Sequence, residues 1–496
     1  MVSKSQTIPQ TSYFNRLKDP RLLNNFADIE KKWQSAQSGE VINVTNPANG
    51  EWVGWVPSMN VKNSRDAVTS AHKAFPSWSR MLPQERAEIL KKWHGLMVEH
   101  KEDLALIVTI EQGKPISESC GEIDYGVSFI EFFAEEAKRT DILSITSHLP
   151  GAEMEVWLEP IGVAALVTPW NFPNAMICRK AAAALAIGCT VLIHPSKETP
   201  LSALALVELA ERAGFPKGVI NVVTGEPNVI VGEWTKDVRV RALSFTGSTE
   251  IGRLLYAQCA PTIKRLSLEL GGHAPFIVFA DADMDKAVEE AIKSKFATSG
   301  QDCLGANRFY IQRSVYDEFC KKFTDKTAAL TVGHGIDDPN IGPLMNANAI
   351  QKQHEHIRDA LEKGAKLLSG GDIMDLGELF FAPTVLVDVP AGAKVMHEET
   401  FGPIAAIAPF DTEEEVINKA NNTEYGLMAY LHSKNPSRIF RLSRQLEFGM
   451  VGVNRTKITG ASIPFGGMKQ SGLGREGSRH GIEAFSNIKY ICRDWT

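Results

Sequence analysis

Apolar and polar positions along the chain follow two rhythms, and together these predict an α/β protein. Apolar residues recur every three to four positions over 64–78, 83–100 and 102–112, which is the spacing of helices with one buried face. Ahead of these helices, the stretch VINVTNPANGEWVGWVP, residues 41–57, places the turn pairs Asn-Pro and Asn-Gly between β-rich segments. This arrangement predicts a hairpin.

From residue 163 onward, short apolar segments alternate with helical patterns. The segments VAALVTPW, TVLIHPS, VINVVTG and ALSFT have the length of buried strands, and helical patterns separate them. Strands and helices in alternation favour a parallel sheet built from βαβ units, as in a nucleotide-binding fold.

The stretch 266–308 predicts a scaffold that presents two side chains, Glu269 and Cys303. A strand ends at a Gly-Gly turn, a second apolar strand covers 274–279, and a helix opened by aspartates follows. Acids in the first turn of this helix and lysines in its last turn, Lys293 and Lys295, stabilise its dipole. The loop that begins at Gly300 then carries Cys303. The buried face of the helix is predicted at Val288, Ala291, Ile292 and Phe296.

Composition indicates an ordinary globular chain with more than one domain. Its 496 residues exceed what one hydrophobic core organises, and 44% hydrophobic and 23% charged residues are usual proportions. A net charge of −6 and a pI of about 6.1 give no reason to expect nucleic acid or an anionic membrane surface as a partner.

Seven scattered cysteines show neither CxxC pairs nor metal-ligand spacing, which favours a reducing compartment, the cytoplasm, and no bound metal. The first twenty residues contain no apolar segment of signal-peptide length and are not clearly an Arg-rich presequence, so we predict a short arm before the fold. Because no apolar run approaches the length of about 18 residues that a membrane span needs, we expect none.

Neither Cys303 nor Glu269 indicates chemistry by itself. A single cysteine is more often a small buried side chain than a nucleophile, and a glutamate before Gly-Gly is usually a solvated charge at a strand end. The surrounding motifs change this interpretation. LELGG followed by GQxC, with an asparagine and an arginine just beyond, resembles the active-site signature of the aldehyde dehydrogenase superfamily, and the spacing 303 − 269 = 34 residues is also that family's.

The resemblance implies a reaction and roles for three residues. Cys303 would add as a thiolate to an aldehyde, hydride transfer would leave a thioester, and Glu269 would activate the water that hydrolyses it. PWNFP resembles the family's oxyanion motif, so Asn171 would donate to the oxyanion together with the Cys303 backbone N–H. An Asx turn or a helix cap is the alternative for Asn171. Family members that release the acyl group to coenzyme A typically lack the glutamate, so the resemblance implies a free carboxylic acid as the product.

The resemblance also implies a nicotinamide dinucleotide, either NADP or NAD. FTGSTEIG places Gly247 and Ser248 between a strand and a helix, where backbone N–H groups suit a pyrophosphate, although a single glycine turn is weak evidence by itself. HEETFGP implies that Glu399 holds the nicotinamide ribose and that Phe401 packs near the ring. Without the other motifs, its two acids would suggest only a solvated turn. Further coenzyme-binding residues implied in this way are Thr168, Pro169, Trp170, Ser196 and Gly271.

The choice of coenzyme depends on LIHPSKETP. Many family members have a lysine and a glutamate where this chain has His194 and Lys197, the lysine holding the adenosine ribose and the glutamate repelling a 2′-phosphate. Losing that carboxylate and gaining a cation favours NADP. Lys197 as an ordinary charge beside a helix is the alternative.

Within the family, the resemblance is greatest to the succinate-semialdehyde dehydrogenases, through RKAAAALAIGCTV, LSFTGSTEIGR, HEETFGP and KQSGLGREGS. It implies that Arg179 binds the distal carboxylate of the substrate. Two positions depart from that group's pattern, because Ala297 replaces a second arginine and Gly305 replaces the second cysteine of a CxC pair. Arg455 and Lys457, in a loop that enters the pocket in the family, could supply the missing cation. We therefore expect an anionic aldehyde, succinate semialdehyde first and sulfolactaldehyde or glutarate semialdehyde next.

The fold implied by the resemblance has three parts, a Rossmann-like coenzyme domain, an α/β catalytic domain and a small β flap for oligomerisation. We assign 1–141 and 161–270 to the coenzyme domain, 142–160 to the flap, 271–470 to the catalytic domain and 471–496 to a carboxyl-terminal segment with an oligomerisation strand. A homodimer or homotetramer follows from the resemblance. The alternative from another class is a noncatalytic protein that binds dinucleotide or serves structurally.

Overall fold

A computed structural model describes residues 13–36, 38–139 and 143–495. Its helices lie against two large sheets. The helices are α1 Val61–Arg80, α2 Pro83–Glu99, α3 Lys101–Gln112, α4 Ile116–Glu136, α5 Ala175–Ile187, α6 Pro200–Ala213, α7 Pro227–Lys236, α8 Thr249–Cys259, α9 Met284–Phe296, α10 Tyr316–Ala328, α11 Ala347–Glu362, α12 Glu413–Asn421 and α13 Pro436–Gln445.

The strands fall into four sheets. They are β1 Ala27–Asp28, β2 Trp33–Gln34, β3 Val41–Thr45, β4 Trp52–Pro57, β5 Leu143–Ile145, β6 Ala152–Pro160, β7 Val163–Val167, β8 Thr190–His194, β9 Ile220–Val222, β10 Val240–Thr246, β11 Arg265–Glu269, β12 Ala274–Val278, β13 Ala306–Gln312, β14 Lys366–Ser369, β15 Thr384–Val387, β16 Ile404–Phe410, β17 Met428–His432, β18 Met450–Val453, β19 Gly472–Leu473 and β20 Ser486–Asp494.

The first sheet has a parallel centre and a reversal of strand order. Its order is β19-β11-β10-β7-β8-β9-β1-β2, and the five strands from β11 to β9 run parallel. The chain moves outward from β7 through β8 to β9, then returns to the other side of β7 for β10 and β11. Ligands of open α/β sheets bind beyond the carboxyl ends of the strands at such a switch point. The fold therefore favours a binding site between the ends of β7 and β10.

The second sheet has the order β14-β15-β16-β13-β12-β17-β18, and only its edge strand β14 is antiparallel. Strands β12 and β13 at its centre are buried, which agrees with their nearly continuous apolar sequences. The helix α9 connects them, so the segment that carries Cys303 enters β13 directly.

A third sheet has the order β20-β6-β5, with β6 pairing along its full length with the carboxyl-terminal strand, from Ala152↔Asp494 to Pro160↔Ser486. Several of its apolar side chains are exposed, including Leu143, Ile488 and Tyr490. The predicted flap thus forms a sheet with the end of the same chain. The domain limits, and any pairing of this flap with another subunit, stay predictions.

The predicted α/β fold class is confirmed by the two large sheets and the helices that cover them, and β3 and β4 form the predicted hairpin. The sequence patterns did not reveal α4, which turns out to hold several polar side chains of the site. Lys295 lies in the last turn of α9, where we expect it to stabilise the helix dipole, but it is buried and its Nζ donates to Oδ1 of Asn307 over 3.0 Å. The predicted amino-terminal arm lies largely in residues 1–12, outside the described residues. Among the described residues, no helix has the length and apolar character needed to cross a membrane.

Candidate active site

The segment that carries Cys303 has an unusual backbone, held in place by hydrogen bonds. After α9, Thr298 and Ser299 adopt φ values of 50° and 58°. Side chains other than glycine rarely adopt this region, at a cost of about 1–3 kcal/mol each. Glu118 of α4 accepts hydrogen bonds from the Thr298 backbone N–H over 2.9 Å and from its hydroxyl over 3.3 Å. These contacts fix the approach of the chain to Cys303.

The Gly-Gly turn after β11 allows three elements to meet. A Cβ atom on Gly272 would lie 2.3 Å from the carbonyl oxygen of Cys303, so no larger residue fits there without moving the cysteine loop. The Gly272 N–H donates to Oε1 of Glu399 over 2.9 Å. The predicted coenzyme residue Gly271 lies against the same carboxylate, since a Cβ on it would be 2.8 Å from Oε2. The turn thus connects the Glu269 strand, Cys303 and Glu399.

Asn171 lies beside the loop that carries Cys303. Its Nδ2 donates to the carbonyl oxygen of Gln301 over 3.0 Å, and its own carbonyl oxygen accepts from Nζ of Lys114 over 2.6 Å. The side-chain amide has two N–H groups, so one donor remains for a ligand. Pro173 of PWNFP suits the first position of a helix, but α5 begins two residues later, at Ala175. Glu122 accepts hydrogen bonds from the backbone N–H groups of Asn174 and Ala175.

Glu269 ends β11 as a buried carboxyl group. It is 2% exposed, and neither of its oxygens has a hydrogen-bond partner among the described residues. Burial raises its pKa well above the usual range and the charge of Glu476 raises it further, although Arg179 and Lys180 act in the opposite direction. The raised pKa favours the protonated carboxyl group, which must lose its proton before it can serve as a base.

Cys303 is half-buried, and its surroundings disfavour the thiolate. Burial raises the pKa of this thiol well above its ordinary value, and the nearby carboxylates of Asp302 and Glu399 raise it further. The positive charge of Arg179 lowers the pKa of this thiol. The thiol needs a proton acceptor or an additional positive charge at the moment of attack.

A buried charge cluster lies next to Glu269. Oε2 of Glu476 lies 2.6 Å from Nε of Arg179, and Oε1 accepts from Nζ of Lys180. Ser244 at the end of β10 also donates to Oε1, over 3.1 Å. Burial lowers the pKa of Arg179, but the charges of Glu476, Tyr125, Glu269 and Cys303 together outweigh burial and raise this pKa above the ordinary value. Nη1 of Arg179 has no hydrogen-bond partner in the described part of the chain.

The sequence analysis missed several residues of this site. Lys114 and Glu122 form an ion pair with 2.7 Å between Nζ and Oε2, and both are almost fully buried. Asp302 occupies the variable position of GQxC, so the motif does not indicate that this residue belongs to the site. The sequence contains a signal for two of the missed residues. Lys180 directly follows Arg179 on an otherwise apolar helix, and Glu476 lies within the motif KQSGLGREGS.

The predicted pyrophosphate site lies at the strand-order switch of the first sheet. Thr168 directly follows β7, and Gly247 and Ser248 follow β10. Ser248 caps α8 by accepting from the Ile251 N–H over 3.4 Å. The hydroxyl groups of Thr168 and of Thr246, the last residue of β10, are buried and have no hydrogen-bond partner among the described residues. A helix amino terminus beside buried, unpaired hydroxyl groups suits a dinucleotide phosphate.

The predicted nicotinamide end contains two aromatic rings and one carboxyl group. The rings of Trp170 and Phe401 meet edge to face, with 5.6 Å between centroids, and both are half-buried. Phe401 has a φ of 51°, which is rare for an aromatic residue. Burial raises the pKa of Glu399 to about 7, while the Gly272 N–H lowers it. Pro169, between Thr168 and Trp170, is also half-buried.

The predicted adenosine end has an exposed cation and a buried imidazole. Nδ1 of His194 lies 2.9 Å from the Val223 carbonyl oxygen, and burial lowers the pKa of this histidine to about 4. Lys197 is exposed. Glu198, which directly follows Lys197, accepts a hydrogen bond from the hydroxyl of Ser196, so a carboxylate lies beside this position.

The two further cations predicted for the substrate tail lie outside the buried charge cluster. Arg455 and Lys457 are exposed in the loop after β18, and neither forms an ion pair among the described residues. Thr456 between them is buried and donates to Oε2 of Glu290 through its backbone N–H and its hydroxyl group, each over 2.6 Å. Of the three predicted tail cations, only Arg179 lies in the buried charge cluster.

The chain resembles known proteins over nearly its full length, and the predicted aldehyde dehydrogenase fold is confirmed. The aldehyde dehydrogenase family model matches residues 33–491. The chain is 53% identical over 478 residues to an NADP(+) succinate-semialdehyde dehydrogenase of Escherichia coli, which covers 96% of this chain and 99% of the relative. It is 52% identical over 478 residues to a glutarate-semialdehyde dehydrogenase of Pseudomonas aeruginosa, with the same coverage. The crystal structure of an NADP-dependent enzyme from E. coli superposes with a TM-score of 0.96 at 52% identity, covering 97% of this chain and 100% of that one.

Proposed function

Because this chain belongs to the aldehyde dehydrogenase family, we propose that it oxidises a short anionic semialdehyde to the carboxylic acid, with NADP or NAD as the coenzyme. Succinate semialdehyde is the leading substrate, since an enzyme 53% identical over nearly the whole chain is named for it. Glutarate semialdehyde and a sulfonated aldehyde such as sulfolactaldehyde are the alternatives. The relative named for glutarate semialdehyde supports the former.

The observation that carries the proposal is the contact of the Gly-Gly turn with the nucleophile loop. Cys303 adds through sulfur to the carbonyl carbon as its thiol proton is removed, forming a thiohemiacetal. Asn171 and the Cys303 backbone N–H stabilise the oxygen that gains negative charge. The coenzyme, when bound, supplies the acceptor for the hydride, and a thioester on Cys303 remains. Glu269 then accepts a proton from the water that attacks the thioester, which releases the acid and the free thiol.

The coenzyme-binding residues that support this proposal are Thr168, Gly247, Ser248, Glu399 and the Trp170–Phe401 pair. Their buried unpaired hydroxyl groups, helix amino terminus and carboxyl group suit a dinucleotide. Lys197 favours NADP by its charge, and the carboxylate of Glu198 acts against a 2′-phosphate. We therefore propose that both coenzymes are used.

Arg179 is the proposed tail site, with Arg455 or Lys457 at the outer end. Its charge is buried and one of its nitrogens has no partner among the described residues, so a substrate carboxylate would satisfy it. The test is kcat/KM for succinate semialdehyde, glutarate semialdehyde, a sulfonated aldehyde, an uncharged alkyl aldehyde and an aminoaldehyde, with each coenzyme. Anionic aldehydes should exceed the alkyl aldehyde by more than about tenfold. Preference for the alkyl aldehyde would refute the semialdehyde assignment.

We also propose that the protein is a homodimer or homotetramer in the cytoplasm. All seven cysteines are free thiols, which supports a reducing compartment. The exposed apolar side chains of the β20-β6-β5 sheet support an oligomer, because edge strands of this kind commonly pair. Sedimentation velocity measures the mass directly, and a monomer at micromolar concentration would contradict the oligomer.

The competing functions predict different outcomes in two measurements. A noncatalytic dinucleotide-binding protein should show no unusually reactive cysteine when its thiols are titrated with an alkylating reagent. A coenzyme A-acylating enzyme should form an acyl-CoA when coenzyme A is added. We expect coenzyme A to leave the product unchanged, because Glu269 supplies the base for hydrolysis.

A further inference from the structure

The helix α4 contacts both of the segments that carry the proposed oxyanion donors. Asn171 lies between β7 of the first sheet and α5, whereas Cys303 lies between α9 and β13 of the second sheet. The two donors therefore come from different halves of the molecule. Because a donor stabilises an oxyanion only within about 2.7–3.1 Å of it, the separation of the two segments decides whether both donors reach the same oxygen.

Next to Asn171, the amino-terminal end of α4 contributes a buried ion pair. Nζ of Lys114, two residues before the helix, lies 2.7 Å from Oε2 of Glu122 and donates to the Asn171 carbonyl oxygen over 2.6 Å. Oε1 of Glu122 accepts from the backbone N–H groups of Asn174 and Ala175, over 2.8 and 3.2 Å. Both charges are almost fully buried, so these hydrogen bonds are shielded from water. The pair thus fixes this backbone segment against α4.

One turn before Glu122, Glu118 holds the segment that leads to the nucleophile. Its Oε2 accepts from the Thr298 backbone N–H over 2.9 Å and from the Thr298 hydroxyl over 3.3 Å, and its Oε1 lies 3.2 Å from the same backbone nitrogen. Thr298 is five residues before Cys303 and has a φ of 50°, which residues other than glycine rarely adopt. Such a conformation persists only where its surroundings hold it, and here one carboxylate does so.

The turn before α4 also packs on a segment from the second half of the chain. A Cβ atom on Gly342 would lie 2.3 Å from the Gly113 carbonyl oxygen, and one on Gly335 would lie 2.3 Å from that of Lys114, so both close approaches need glycine. The Gly342 carbonyl oxygen accepts from the hydroxyl of Ser299 over 2.9 Å. The strained turn before the nucleophile is therefore connected to α4 directly and also through Gly342.

We propose that Lys114, Glu118 and Glu122 are positioning residues for the oxyanion site. Together they set the distance between its two donors, the Asn171 side-chain amide and the Cys303 backbone N–H. The inference rests on the proposed function, because it presupposes that these donors stabilise the oxygen of the adduct. In this role the three residues act through the backbone that they hold and not by contact with the substrate.

The test is a double-mutant cycle between Glu118 and Asn171, measured as the single-turnover rate of coenzyme reduction with the aldehyde that the wild type oxidises best. Asn171→Ala should slow this rate by about 10²- to 10³-fold, because one donor is lost. Glu118→Gln should slow it by about tenfold, because a neutral amide holds the Thr298 N–H less strongly and the loop shifts. In the double variant, the additional loss from Glu118→Gln should fall below about twofold, because no amide remains to be misaligned. Alkylation of Cys303 by iodoacetamide, which forms no oxyanion, should stay near the wild-type rate in Glu118→Gln.

Two further sets of variants support the cycle. Glu131→Gln, at an exposed position of the same helix, is the matched control and should keep the wild-type rate. Removal of the ion pair as a whole, Lys114→Met with Glu122→Gln, leaves no buried charge without a partner and should show the same non-additive pattern with Asn171→Ala. Glu118→Asp, which keeps the charge but shortens its reach, takes the place of Glu118→Gln if circular dichroism shows that Glu118→Gln does not fold.

The outcomes separate this inference from the proposed function. If Glu118→Gln costs as much with Asn171→Ala as without it, or slows the reaction with iodoacetamide equally, Glu118 has a general structural role and the inference is refuted. A wild-type rate in folded Glu118→Gln also refutes the inference. A wild-type rate in Asn171→Ala refutes the oxyanion role within the proposed function, and this inference fails with it.

Discussion

Nε of Arg179 lies 2.6 Å from Oε2 of Glu476, so the cation that we propose for the substrate tail is also half of a buried ion pair. Nη2 of the same guanidinium donates to the sulfur of Met176, and Nη1 has no hydrogen-bond partner in the described part of the chain. We propose that this one guanidinium connects the tail of the substrate with the charge cluster beside Glu269.

Replacement of Arg179 should weaken recognition of the anionic tail. We expect Arg179→Met to lower kcat/KM for succinate semialdehyde by about 10- to 150-fold, the loss of a hydrogen-bonded charge, with a smaller effect on an uncharged aldehyde. Arg455→Ala and Lys457→Ala should each cost only about two- to fivefold, because exposed charges interact weakly. Initial rates across the aldehyde series measure all three. Equal losses for charged and uncharged aldehydes in Arg179→Met would argue against a tail site.

Removal of the nucleophile should separate binding from chemistry. Cys303→Ala should abolish aldehyde oxidation while the affinity for coenzyme, measured by quenching of protein fluorescence, changes less than about twofold. Cys320→Ala, at a buried cysteine of the second sheet's helical layer, is the matched control and should stay active. Steady turnover by Cys303→Ala would contradict the mechanism.

The raised pKa of Glu269 predicts how hydrolysis depends on pH. Its protonated form cannot accept a proton from water, so steady turnover should rise with pH as the carboxyl group ionises above its ordinary range. Glu269→Gln should retain a burst of reduced coenzyme but slow steady turnover by about 10²- to 10⁴-fold, and the slow phase should lose this pH dependence. Stopped-flow absorbance of the reduced coenzyme resolves the two phases. A Glu269→Gln variant without a burst would place the residue in the acylation step as well.

The buried charge cluster predicts a large effect on stability. Glu476→Gln leaves Arg179 and Lys180 buried without a counter-ion, which should lower the free energy of unfolding by about 3–5 kcal/mol. Glu483→Gln, in an exposed pair with His480, should change it by less than about 0.5 kcal/mol. Differential scanning calorimetry compares the variants. The double variant Glu476→Gln with Lys180→Met should recover part of the loss, and no recovery would point to a cause other than unpaired charge.

Two adjacent charges should shift the choice of coenzyme in opposite directions. Lys197→Ala should weaken NADP binding by about tenfold and leave NAD binding unchanged, because only NADP carries the 2′-phosphate. Glu198→Gln should strengthen NADP binding severalfold by removing a carboxylate beside Ser196. Fluorescence titration with each coenzyme measures both. Parallel changes for NADP and NAD would show that these residues do not contact the 2′-position.

Local sequence patterns predicted elements well where one principle dominates. The βαβ rhythm gave the parallel sheet, and turn dipeptides gave the β3–β4 hairpin. Local patterns did not predict the burial of a side chain whose partner lies on another element of the fold. Lys295 is at a helix end that would ordinarily be solvated, but its Nζ donates a hydrogen bond to Oδ1 of Asn307 on the adjoining strand. Burial lowers the pKa of Lys295 to about 7. No local periodicity reports such a partner.

In the candidate site, too, local motifs predict some residues, and contacts made by the fold determine the others. Motifs predict Cys303, Glu269 and Asn171 as site residues, because the motifs and their spacing are specific to a family. The ion pairs that surround them were not predicted, since Glu122 and Glu476 find their partners through the fold. At His194, where many family members have a lysine, the motif does not predict which group the side chain contacts. The motif predicts its position beside the coenzyme, but only the structure shows its ring held by the Val223 carbonyl.

The pairing of Lys180 with Glu476 also has a consequence for biosynthesis, because 296 residues separate the two along the chain. At roughly 5–20 residues per second, a ribosome needs about 15–60 s to deliver the carboxylate after the lysine has emerged. Throughout that time the nascent amino-terminal half contains two cations, Arg179 and Lys180, that are buried in the finished protein, and it has not yet received their counter-ion Glu476. We therefore expect this half to consolidate only after the chain is released. Nascent chains stalled before residue 476 should remain more sensitive to proteases than the finished protein.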